Sequence, residues 1–180
     1  MKKRGKGIYN KNEKDIPLGL ESYEDLFSDF DPRPYSQKAL SKDFLLECKK
    51  ASEDKRGDIE LKLFIDKNKR NAKNEEMIIK RIKEHFNKHF IEKKRELLSL
   101  KLAGLIWFLF GCFLTAITAI FMQKDISYFM IVLVNLAHPA GWFFLWEGLG
   151  KILIHSREKK EDYDFHKKMN KAKISFLSGK

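Results

Sequence analysis

The chain has 180 residues, a formal charge of +11 and a mean hydropathy of −0.44, averages that would suit one ordinary soluble domain. Two cysteines, Cys48 and Cys112, are too few for a disulfide framework or a zinc cluster. The basic balance comes without a nucleic-acid-binding motif, and no nucleophile motif, phosphate loop or dinucleotide fingerprint occurs, so the sequence argues against nucleic acid, cofactor, metal and enzymatic activity.

In chain order, residues 1–16 are polar and basic and read as disordered; they lead into no apolar stretch of the kind a cleavable signal carries, so the first span is expected to act as its own targeting signal. Residues 17–101 read as a cytoplasmic α/β region. Tyr23, Leu26, Phe27 and Phe30 recur at helical spacing, predicting a short helical turn before Pro32 and Pro34 force extended backbone around Arg33. Asp29, Asp31 and Arg33 read as loop solvation and local ion pairing. Ser41 is a good N-cap for a helix to about Ser52 with Phe44, Leu45 and Cys48 on one side. In DIELKLFI, residues 58–65, Ile59, Leu61, Leu63 and Ile65 alternate with polar residues, the period of a strand with one buried face. Residues 66–74 read as a loop. From residue 75 a long amphipathic helix follows, with Ile78, Ile82, Phe86 and Phe90 four apart and no Pro or Gly before the first span. His85 and His89 on that helix could share a metal, but HExxH is absent and two ligands make no zinc site.

The averages conceal two uncharged runs. Residues 102–122 and 126–146 contain no Asp, Glu, Lys or Arg. At ~1.5 Å per residue each spans about 31 Å, the thickness of a hydrocarbon core. The sequence therefore predicts transmembrane helices over 102–122 and 126–150, joined by an external turn at 123–125. Residues 83–101 hold six Lys/Arg and residues 151–170 six more, against Lys124 alone in the turn. That asymmetry predicts a multi-pass protein of the cell inner membrane with both termini cytoplasmic and its basic flanks against anionic lipid. Residues 151–180 read as a basic tail, helical over 156–171, with a possible strand at KISFLS, residues 173–178. A single strand does not persist, so DIELKLFI needs KISFLS, another chain or the long helix as cover. The fold class is thus mainly α: a two-helix transmembrane hairpin with a small cytoplasmic α/β layer built by the N- and C-terminal segments.

The second span, VLVNLAHPAGWFFLWEGLG, carries Asn135 and His138 on one face at mid-depth, where polar side chains need partners. The first span offers a stripe of Gly104, Gly111, Thr115 and Thr118; the second answers with His138, Gly141, Leu145 and Gly148. With the turn at 123–125, Asn135 is expected level with Phe113 and His138 level with Phe110 and Gly111. Two readings stay open: Asn135 and His138 hydrogen-bond Thr115, Thr118 or backbone carbonyls and lock the hairpin or an oligomer, or they line a polar path in which His138 handles protons or ions. Pro139 frees a carbonyl one turn earlier and kinks the helix, which suits either. Trp142 and Trp146 mark the cytoplasmic interface, where Glu147 and Lys151 form an i, i+4 ion pair.

DLFSDFDPRPYSQKALSKDF, the strand, the long helix, the two spans and Gly141-Trp142 with Trp146 together resemble a group of uncharacterised prokaryotic two-span membrane proteins; Glu147 and Gly148 stand where that group has a basic residue and a proline. The resemblance implies a two-span architecture over most of residues 18–176 and carries no catalytic residue. The functional expectation is a membrane-anchored, non-enzymatic protein that self-associates or presents a cytoplasmic docking or oligomerisation surface to a protein partner. The alternative is a homo-oligomeric pore or membrane-stress effector lined by the polar face of the second span.

Overall fold

The computed structural model describes residues 14–53, 55, 57–122 and 127–179, and the expected turn at 123–125 lies outside them. The chain is mostly helical and carries a three-stranded parallel sheet. It divides into two compact units: residues 1–90 with 164–180, and residues 91–163.

The first unit is an α/β layer. Strand β1, Asp15–Gly19, is followed by a short 3-10 turn over Tyr23–Leu26, helix α1 over Lys42–Glu53 and strand β2 over Glu60–Asp66. Helix α2 runs Ala72–Phe121, α3 Tyr128–Gly150 and α4 Ser156–Lys171, with strand β3 at Lys173–Gly179. The sheet order is β1-β2-β3, so β2 is central. It pairs with β1 from Asp15↔Glu60 to Gly19↔Phe64 and with β3 from Glu60↔Lys173 to Asp66↔Gly179.

The alternation read in DIELKLFI is real: Ile59, Leu61, Leu63 and Ile65 are all buried. One face of the sheet carries Ile16, Leu61, Leu63, Ile65, Ile174 and Phe176, and these join Phe44 and Cys48 of α1, Ile78, Ile82 and Phe86 of α2, and Phe165 and Met169 of α4 in one core. On the other face the Lys62 ammonium lies 2.8 Å from Asp15 Oδ2 and 3.6 Å from Glu60, a charged row along the central strand. Ser41 caps α1 as its spacing predicts, its Oγ accepting from the Phe44 N–H at 3.1 Å.

Three expectations need correction. Residues 15 and 16 are ordered in β1, not part of a disordered start, and both are buried. Pro17 hides this strand from sequence reading, yet proline is tolerated there because β1 is an edge strand. The loop expected over 66–74 is shorter: β2 extends to Asp66, a 3-10 turn covers Lys67–Lys69, and α2 starts at Ala72. Asn71 supplies the missed start signal, its Oδ1 accepting from the Lys73 and Asn74 N–H groups at 3.0 and 3.3 Å. Finally, Phe30 does not join Tyr23, Leu26 and Phe27 in the core; it stands 98 % exposed, because the chain turns after Phe27, whose neighbour Ser28 donates to the Ala39 carbonyl.

A buried polar network closes the same unit. The Tyr23 hydroxyl donates to Glu75 Oε1 at 3.0 Å and accepts from the Asn71 N–H at 2.8 Å. Arg70 holds both Glu75 oxygens at 2.9 Å, and this bidentate pairing keeps the Glu75 carboxyl below its ordinary value.

Candidate functional site: the polar and small-residue seam of the helical hairpin

Within the second unit the residues singled out in the two apolar helices come together, and glycine decides how closely. A Cβ on Gly148 would lie 2.5 Å from the Phe108 nitrogen and 2.7 Å from the Gly104 carbonyl oxygen. One on Gly111 would lie 2.6 Å from the Leu145 nitrogen, and one on Gly104 2.9 Å from the Gly148 oxygen. One on Gly141 would lie 2.5 Å from Thr115 Oγ1. Real Cβ atoms do not approach backbone so closely, so α2 and α3 touch main chain to main chain along the seam.

These contacts correct the expected register. His138 is not level with Phe110 and Gly111: its Nδ1 lies 3.2 Å from Thr118 Oγ1, more than a turn further along α2. The expected level assumed a symmetric turn, whereas the glycine contacts are what fix the slide of one helix on the other. Thr118 is buried and donates its one proton to the Thr115 carbonyl at 2.9 Å. With that proton so placed, its oxygen is free to accept from His138 Nδ1. Thr115 Oγ1 is buried and has no hydrogen-bond partner among the described residues.

Asn135 does not reach this seam. It is exposed on α3, while Val134 beside it is buried. Three residues of α-helix rotate a side chain by about 300°, so Asn135 and His138 are some 60° apart, enough to put one in the seam and one outside it. Pro139 lies inside α3 and is exposed.

At the other end of the seam Glu147 and Lys151 form the expected ion pair. The Lys151 ammonium also sits 5.1 Å from the centroid of the Trp107 ring, which packs on Phe144 at 5.1 Å, and Phe110 meets Phe144 edge-on at 4.9 Å. Trp107 and Phe144 carry no signal of their own in the sequence, being aromatics in an apolar run, and Phe110 enters it only as the level expected for His138. Trp142 and Trp146 are exposed and outside this cluster. Between α3 and α4 the helix widens into one π-helical turn over Lys151–His155, where the Ser156 hydroxyl bonds the Ile152 carbonyl. Below it, Glu96 accepts from Lys159 at 2.7 Å and Lys93 at 3.2 Å, and the Lys159 bond above all lowers its carboxyl pKa.

The remaining candidates lie in the α/β unit. Cys48 is fully buried in the core and burial pushes its thiol up to about 12, which removes it as a nucleophile. Arg33 binds Asp31 through Nε at 2.8 Å and Nη2 at 2.7 Å, and Asp31 also accepts from the Ala39 N–H at 2.7 Å. That clamp staples the 31–39 loop and holds the Asp31 carboxyl far below the usual range, chiefly through Arg33. His85 and His89 have ring centroids 4.4 Å apart, and His166 lies 5.7 Å from His89. Among the described residues no group of three or more His, Cys, Asp or Glu is placed to hold a metal.

Two helices of the chain are long and apolar enough to cross a membrane, one within Ala72–Phe121 and one within Tyr128–Lys171. Compared with family models, curated proteins and solved structures, the chain matches none.

Proposed function

We propose that this protein is a non-enzymatic inner-membrane anchor, whose two-helix hairpin holds a small cytoplasmic α/β layer at the bilayer face as a docking surface. The pairing of β2 with β3 carries this reading. Both apolar helices lie between these strands in the sequence, yet the strands pair in register over seven residues of β2. If the two helices cross a bilayer, strands that share a sheet sit on the same side of it. The Lys/Arg-rich flanks of both helices support the cytoplasmic side, and Lys94, Arg95, Arg157 and Lys160 there suit a surface of anionic headgroups. In the docking layer Phe30, between Asp29 and Asp31, is the large apolar side chain most open to a partner.

The seam favours an anchor over a pore. Thr118, His138 and the glycines are consumed in packing α2 on α3, which leaves one outward polar side chain, Asn135, among the candidate pore-lining residues. The test is a pair of reporters. Cysteines at Asn68 and Ser175, in a background lacking Cys112, should both react with an impermeant maleimide only from the cytoplasmic side of inverted vesicles. Labelling from opposite sides overturns the anchor. Ion flux from liposomes carrying the purified protein, at any pH between about 5 and 8, overturns it in favour of the pore.

A further inference from the structure

The hairpin leaves Asn135 on the outer side of α3. It is exposed, and among the described residues nothing donates to or accepts from its amide. Its backbone carbonyl also loses the usual donor, since residue 139, four further on, is a proline with no N–H to give. In hydrocarbon an unpaired side-chain amide is expensive. Asn135 also sits in an ordered row. Steps of four and three along α3 pick out Tyr128, Val132, Asn135, Pro139, Trp142 and Trp146. Tyr128, Val132, Trp142 and Trp146 are 81, 43, 51 and 64 % exposed, and Asn135 and Pro139 are exposed as well. The same steps taken from Val134 pick out His138, Gly141, Leu145 and Gly148, the face of α3 that packs on α2. Phe129, Leu133, Leu136 and Phe143 are exposed beside the Asn135 row, but of the exposed faces only the row through Asn135 sets a polar side chain near its middle at the spacing that helix pairs use.

We propose that this exposed row is covered by the same row of a second copy of this chain, Asn135 against Asn135. The chemistry selects a copy of itself: a primary amide holds donor and acceptor together, so two amides across a two-fold axis satisfy one another. An unrelated helix would need a matching polar group at the same depth. The proposal rests on the reading that α2 and α3 cross the membrane, and deepens it by naming what the anchor binds inside the bilayer.

Full-length protein labelled with donor or acceptor dye, in phosphatidylcholine–phosphatidylglycerol vesicles, should show energy transfer that falls as lipid is added. Asn135→Leu should weaken the association roughly tenfold, with Asn135→Gln recovering most of it. In a Cys112→Ser background, Val132→Cys and Trp142→Cys should each form disulfide-linked dimers, and Met130→Cys, off the row, should not. This second arm does not depend on how well any Asn135 variant folds. Monomers at every lipid density, equal transfer from Asn135→Leu, or Met130→Cys cross-linking as well as Val132→Cys would each overturn the pairing. So would Val132→Cys cross-linking in cells to a different chain alone, which would give the row to another protein. Alkaline carbonate separates the two failures: protein released from the membrane sinks the anchor reading, whereas protein that pellets but stays monomeric sinks only the pairing.

Discussion

In the α/β unit the core is built from large side chains: Leu61, Leu63 and Ile65 of the central strand share one buried cluster with Ile78, Ile82, Phe86 and Met169. In the hairpin unit the close approach of the helices depends on the lack of them, at Gly104, Gly111, Gly141 and Gly148. The contrast is the one expected of the proposed arrangement, in which the first unit faces water and the hairpin faces lipid. Water rewards every apolar atom removed from it, by about 25 cal/mol per Å², so a water-facing layer gains by burying bulk. A lipid tail is as apolar as leucine, and burying bulk there gains nothing over leaving it in lipid. What remains is close backbone contact and the occasional hydrogen bond, and glycine and threonine supply both. The hairpin glycines thus do the work that leucines do in the sheet.

Substitutions that exchange the two strategies should break the comparison most sharply. Gly148→Leu should do the greatest damage, since even its first carbon would meet the Phe108 nitrogen at 2.5 Å; α2 and α3 should separate, seen as lost energy transfer between dyes on the two helices. In the sheet the opposite change is the harmful one. Leu63→Ala should cost about 2–5 kcal/mol in the unfolding of the water-facing unit and leave the hairpin signal untouched.

Next in size is the polar network at the start of α2. Glu75→Gln should cost about 1–2 kcal/mol at neutral pH by removing the charged partner of Arg70. Because the folded carboxyl titrates below its unfolded value, this stability is fully present above the ordinary Glu pKa. It is lost as pH falls through the folded value, so the gap between wild type and Glu75→Gln in urea unfolding should close in acid. A gap that widens in acid would reverse the assignment. The smallest effect is expected at the hydroxyl in the seam: Thr118→Val keeps the volume and should cost about 0.6–1.7 kcal/mol of hairpin stability. A larger loss from Thr118→Val than from Gly148→Leu would mean that hydrogen bonding rather than close approach holds the helices.

Periodicity made much of this legible. Ile59, Leu61, Leu63 and Ile65 announce a strand with one buried face, Ser41 announces a helix start, and the two uncharged runs announce helices of membrane length. What escaped depends on partners that lie far away in the sequence. Strand β1 is five residues with a proline in the middle, and only its place at the sheet edge makes that acceptable. The glycine and threonine stripes were visible, but their vertical register was not, because a turn centred by symmetry says nothing about which backbone atoms will touch. Asn135 and His138 looked equivalent at three residues apart, yet the 60° between them puts His138 against Thr118 and leaves Asn135 outside.

The placing of β3 has a consequence for synthesis. A ribosome delivers this strand only after both greasy helices have emerged, so until then the middle strand has a neighbour on one edge alone. Completion of the sheet is thereby tied to the last residues made, since β2 gains its second neighbour only with Lys173–Gly179. Under the proposed two-span topology, a chain that threaded only one helix would hold β3 across the bilayer from β2 and leave that edge of the sheet unpaired.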